Sequence, residues 1–151
     1  MTYRPTSFFR STAKPTVDEF FRDVLDIRRG RLAAIVLFHM ADYWNQEHCG
    51  NPDDSTLRTL CRQLVHDCPD FRLIMDIANA SKHDRLTRND AARQLSTSQQ
   101  VSRSQGIFGA PFGTAAFNEA SIVMVTRDDG QSRPLAGVIR SVFDMWEAKL
   151  R

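Results

Sequence analysis

The sequence predicts a mainly α-helical (α+β) fold: an antiparallel bundle of about five helices, with a small β-hairpin before the C-terminal helix. Three observations predict it. Apolar residues recur at helical spacing through the first half of the chain and again at its end. Short connections marked by Pro, Asp and Gly separate these runs. One alternating β-branched run, Ile122, Val123, Val125 and Thr126, leads into Asp128–Asp129–Gly130, a hairpin turn signal.

Residues 1–15 read as a Pro-punctuated N-terminal arm, after which Thr16 and Glu19 have the spacing of a capping box. Val17, Phe20, Phe21, Val24 and Ile27 then mark a first amphipathic helix, with Gly30 as its stop. A second helix runs from near Arg31 to about Glu47. Its core, "LAAIVLFHMADYW", is apolar almost all round, as expected of the most buried helix of a bundle. The third carries Leu57, Leu60, Cys61, Leu64 and Cys68 on one stripe. Pro69 suits the first position of a fourth, which extends to about Asp84. Such short connections predict up-down-up stacking, with the second and fourth helices parallel. Residues 85–105 are polar, rich in Ser and Gln, and are expected to form a mobile loop. The hairpin region spans 113–133. Before and into it, the glycines of "GIFGAPFG" lack the Gly-Lys-Ser/Thr of a phosphate-binding loop and read as bends. A last amphipathic helix starts at about Pro134.

A chain of 151 residues fits a single domain, 1–151, large enough to bury a core without crosslinks. The net charge of +2 gives no global basic field of the kind that marks a dedicated nucleic-acid binder. No apolar run reaches the ~18 to 20 residues of a membrane span. The N-terminus shows no apolar segment with a secretory cleavage site. Cys49, Cys61 and Cys68 have no framework spacing and are expected to be free thiols in a reducing cytoplasm. With His48 and His66 they also lack zinc-ligand spacing, so neither metal nor cofactor is expected.

Candidate chemistry concentrates in "DIANASKH", Asp76 to His83. Asp76, Asn79 and His83 share one side of a helix, while Ile74, Ile77, Ala78 and Ser81 form the packing face. Asp76 and His83 are ~10.5 Å apart along the axis, too far to bond directly. Any chemistry at His83 therefore needs a second element. His39 shares a register with Leu32, Ile35, Val36 and Met40, so it is expected to point inward, with Asp42 in reach of its imidazole. If the second and fourth helices are neighbours, these two clusters converge.

Three readings follow: a hydrogen-bonded seam that fixes helix register, a metal site, or a phosphate- or nucleic-acid-directed site. The last would use His83, with His39, for acid–base work, and Lys82 and Arg85 as phosphate ligands beside Asp76, Asn79 and Asp42. Five basic residues (Lys82, Arg85, Arg88, Arg93 and Arg103) against two acidic ones (Asp84 and Asp90) give this segment local positive charge.

The order "LFHMADYW", "DIANASKH", the "DDG" hairpin and "VFDMWEAKL" resembles a family of small, uncharacterised bacterial proteins from about Arg31 onward. The resemblance implies a fold and a site at His39, Asp42, Asp76, Asn79, Lys82 and His83, with no reaction attached. The bundle is also similar in architecture to HEPN-type domains, which include RNA-cleaving toxins, but it lacks their Arg-x4–6-His pair. The expectation is a non-enzymatic interaction or ligand-binding module, with self-association or RNA or nucleotide contact as partners. The alternative is an RNA- or nucleotide-phosphate-directed enzyme using His83, Lys82 and Arg85.

Overall fold

The computed structural model describes residues 4–104 and 122–151. Helical structure begins at Pro5, where the expected arm should lie. α1 (Pro5–Phe8), a π-helical turn (Phe9–Ala13) and α2 (Lys14–Arg22) follow one another directly. Pro5 suits a first turn, since its missing N–H would have had no partner there. The wide π turn ends just before Pro15, which has no N–H to give to the ladder. Thr16 does not cap: its hydroxyl donates to the Thr12 carbonyl at 2.8 Å, inside the helix. Phe9, Ala13, Val17 and Phe20 form the buried stripe of this segment.

α3 (Ile27–His48) starts earlier than expected, with the Asp26 carboxylate accepting from the Arg29 amide as its N-cap. Gly30 is no stop. It lies within α3, where a Cβ would come within 2.7 Å of Leu135 Cδ2 and 3.1 Å of Phe20 Cε2. The buried face of α3 consists of Gly30, Ala33, Ala34, Leu37, Met40, Ala41 and Asn45. Small side chains let the neighbours approach closely on this face, so Leu32 is left 41% exposed on the other.

α4 (Asp54–Asp67) opens with a capping box between Asp53 and Thr56, and Asn45 of α3 donates to the Thr56 hydroxyl at 3.1 Å. α5 (Asp70–His83) follows Pro69. Two contacts fix its direction. Phe38 lies beside Phe71 at the start of α5, with ring centroids 6.3 Å apart. Arg31, two turns earlier on α3, donates to the Ser98 carbonyl at 2.8 Å, and the Ser98 amide donates to the Asp84 carbonyl at 2.8 Å, just past the end of α5. α5 therefore runs against α3, which corrects the parallel arrangement expected for these two helices. Cys68 alone is extended at the corner (φ −141°, ψ 96°), which bends the path without folding α5 back along α4.

Beyond α5 a 3-10 turn (Ser98–Gln100) leads into β1 (Val101–Arg103). β2 (Val123–Thr126) and β3 (Ser132–Pro134) complete an antiparallel sheet in the order β1-β2-β3, with Val101 opposite Val125 and Val125 opposite Arg133. Gly130 takes the left-handed conformation (φ 84°) that the β2–β3 turn requires. The hairpin predicted from Asp128–Gly130 is thus present, and β1 adds a third strand. Residues 113–121 of the expected hairpin region, like the glycines of "GIFGAPFG", lie outside the described residues. α6 (Leu135–Lys149) buries Leu135, Val138, Ile139, Val142, Phe143 and Trp146, and the Trp146 indole donates to the Leu37 carbonyl at 3.0 Å. Among the described residues, no helix is long and apolar enough to cross a membrane.

Candidate functional site

The segment after α5, where a polar loop was expected, is tied to the bundle by hydrogen bonds, and Asp76 is their central acceptor. Its carboxylate is buried and accepts from Arg72 Nε at 3.3 Å and Nη2 at 2.9 Å, and from the Gln94 and Leu95 amides at 2.7 and 3.3 Å. Burial pushes the carboxyl above its ordinary value, against the opposing pull of Arg72 and the two amides. The same guanidinium donates to Asp90 at 2.8 Å and holds that carboxyl below the ordinary range. Leu95 and Val101, within this polar stretch, are fully or almost fully buried. Arg93 gives one Nη1 to the carbonyls of Leu86 and Arg88, at 3.0 and 2.8 Å. Asp128 clasps the far side, accepting from the Ser96 hydroxyl at 2.7 Å and the Gln100 amide at 3.0 Å.

Asp84 makes the bend from helix to loop. It adopts φ 63° and ψ −50°, and the Arg85 amide donates to the His83 carbonyl at 2.7 Å. That is a γ-turn in its rarer, strained form. The Ser98 hydroxyl donates to the Asp84 carboxylate and helps hold the bend. The turn sets His83 and Arg85 on the lip of one cleft.

The cleft has a volume of about 660 Å³ and is lined by Arg72, Asp76, Asn79, His83, Arg85, Leu86, Thr87, Arg88, Asp90 and Arg93. Arg72 and the two carboxylates satisfy one another. Among the described residues, the side chains of Asn79, His83, Arg85 and Arg88 make no hydrogen bond or ion pair. Counting Arg93 beside Arg72, the floor balances Asp76 and Asp90, so the outer part of the cleft carries the unpaired cationic and hydrogen-bonding surface.

Of the residues expected to form a site, the fold brings together Asp76, Asn79, His83 and Arg85. Lys82 is exposed in the last turn of α5 and does not line the cleft. His39 and Asp42 are not part of it either. Their bond forms, His39 Nδ1 to Asp42 Oδ2 at 3.1 Å, but on the outer face of α3 with both side chains about half exposed (53% and 46%). The expected inward imidazole is thus corrected. The buried face of α3 runs through Ala33, Ala34, Leu37, Met40 and Ala41 and leaves His39 outside it, and the antiparallel course of α5 carries His83 away from the level of His39. Asp76 acts as a buried anchor, and a ligand has no free access to its bonded oxygens.

Sequence reasoning missed Arg72, although its spacing of four from Asp76 is a standard helical ion-pair register. It counted Arg88, Asp90 and Arg93 only as loop charge, because their meeting depends on the path of the loop. Cys61 and Cys68 are buried free thiols and Cys49 is half-buried. Burial, with Asp42 adding, pushes the Cys61 thiol up to about 11, which removes it as a thiolate nucleophile near neutral pH. Among the described residues, no group of three or more His, Cys, Asp or Glu side chains could hold a metal ion.

The fold and cleft define a helical-bundle protein with an arginine-lined recess. Comparison of the chain with protein-family profiles, with curated proteins and with solved structures finds no match.

Proposed function

We propose that this protein is a non-enzymatic ligand-binding module whose ligand carries a phosphate group, held in the cleft beyond α5. The observation that carries the reading is the pairing pattern around Arg72. Arg72 pairs with both Asp76 and Asp90, and Arg93 supplies the second positive charge that balances them, so the charge of the unpartnered guanidinium groups of Arg85 and Arg88 is left facing the recess. Planar guanidinium forks match phosphate oxygens in pairs, and a backbone tied down by Asp76, Arg93 and Asp128 lowers the ordering cost of binding. Asn79 supplies an amide, and His83 a ring nitrogen, for the remaining oxygens.

Equilibrium titration of ATP, ADP and inorganic phosphate into the wild type and the Arg85→Ala/Arg88→Ala variant tests this. Saturable binding that weakens at least tenfold in the variant supports the reading. Equal affinities, or no saturable binding of any of the three, overturn it.

A second reading, RNA- or nucleotide-phosphate-directed catalysis, draws on one observation: His83 lies in the same cleft as Arg85 and Arg88. An acid–base histidine usually has a partner that orients its ring. Here the ring has none among the described residues, so the binding module is preferred. Phosphodiester turnover that disappears in His83→Ala would reverse that preference.

A further inference from the structure

A second recess lies on the far side of the Arg72–Asp90 pair. Both residues line both recesses. The second has a volume of about 610 Å³ and sits where α3, α4, α5 and the 90–94 segment meet. Its chemistry differs from that of the arginine cleft. Phe38, Cys61, Val65 and Met75 give it an apolar interior. Arg58 and Arg62, one turn apart on α4, stand at its edge, exposed and with no side-chain hydrogen bond or ion pair among the described residues. The carboxylate nearest them in the lining, Asp90, is already taken by Arg72.

We propose that this recess binds an amphiphilic organic anion: an apolar chain seated against Phe38, Val65 and Met75, with its carboxylate at Arg58 and Arg62. A volume of this size falls within the roughly 300–1,000 Å³ of small-molecule sites, which join a mostly apolar lining to a few placed polar groups. The apolar interior supplies a driving force that does not distinguish among amphiphiles. The two guanidinium groups, free of side-chain hydrogen bonds and ion pairs among the described residues, select the sign of the head, and a carboxylate is met in a two-pronged geometry that an alcohol or an ammonium cannot copy. A neutral or cationic head would leave both arginines unsatisfied or repelled. The site depends on α4 and not on Arg85 or Arg88, so it stands or falls apart from phosphate binding.

The experiment titrates decanoate, decanol and decyltrimethylammonium into the full chain, following the 13C-methyl resonance of Met75 and the heat of binding. Decanoate is expected to saturate one site, shift Met75, and bind at least tenfold more tightly than either comparison amphiphile. In Arg58→Glu/Arg62→Glu that preference is lost, while phosphate titration is unchanged. Both arginines are exposed and the substitution breaks no side-chain hydrogen bond or ion pair among the described residues, and far-UV circular dichroism checks that the variant is folded. Three results overturn the proposal: no saturable decanoate binding, equal affinity for the three head groups, or undiminished decanoate affinity in the variant.

Discussion

Arg72 and Asp90, eighteen residues apart, meet at 2.8 Å and form a common wall between two recesses of different chemistry. The guanidinium is anchored from behind by Asp76, which also receives two loop amides. One buried carboxylate thus sets both the shape of the loop and the charge left over for a ligand.

Removing that carboxylate should loosen the loop before it unfolds the bundle. Asp76→Ala strands a largely buried guanidinium and two backbone amides, which costs about 2–4 kcal/mol because Arg72 keeps Asp90 as a partner. Urea denaturation measures the loss. Hydrogen exchange at Gln94 and Leu95 should accelerate far more than at Ile77. Uniform acceleration would show that Asp76 does not anchor the loop specifically.

Acid should act on the same latch in a predictable direction. Asp90 is held below the ordinary carboxylate value by Arg72. Burial works to raise Asp128, but the Ser96 and Gln100 donors outweigh it and leave Asp128 below that value as well. For such groups the unfolded chain binds protons more readily, so their stabilisation is full above the ordinary carboxylate pKa and is lost as pH falls through their lower folded values. Asp76 is raised, so its titration alone shifts stability the opposite way as pH falls. Acid weakening should therefore be smaller in Asp90→Asn and Asp128→Asn than in wild type, read from denaturation midpoints between pH 7 and pH 3.

Gly30→Ala should destabilise although it replaces glycine within a helix. The gain in helix propensity is about 1 kcal/mol. Against it, the new methyl would sit 2.7 Å from Leu135 and 3.1 Å from Phe20, and overpacking costs ~1–3 kcal/mol. A thermal midpoint at or above the wild-type value would contradict the close approach of α3 to Leu135.

The bend at Asp84 can be separated from its hydrogen bond. Asp84→Ala and Asp84→Gly both lose the bond from Ser98, but only glycine relaxes φ 63°. The glycine variant should be the more stable of the two by ~1 kcal/mol. Equal stabilities would mean that the turn stores no strain.

Particular residues show how far the sequence reached. The apolar periods placed the main helices, and Asp128–Gly130 marked the hairpin, because both signals are local. His39 was assigned to the core by its register with Leu32, Ile35, Val36 and Met40, whereas the buried face combines Leu37 and Met40 with the small Gly30, Ala33, Ala34 and Ala41. Large hydrophobic residues signal burial only where neighbours leave room for them. Pro5 and Pro15 suggested an arm because proline disfavours helix interiors, and the π turn between them has no simple sequence pattern. The candidate site was half visible. Asp76, Asn79 and His83 share a helical face, but Arg88, Asp90 and Arg93 join them through a loop whose path depends on Asp76, and no periodicity encodes that.

The central claim is that Arg85 and Arg88 are held free to receive a phosphate group. The most direct measurement follows arginine side-chain 15Nε–1H resonances while inorganic phosphate is added. The account predicts that Arg85 and Arg88 shift together along one saturating curve, with Arg72 unmoved on its carboxylates and Arg151, the C-terminal residue outside the cleft lining, unchanged. Small linear shifts spread over all the exposed arginines would contradict it.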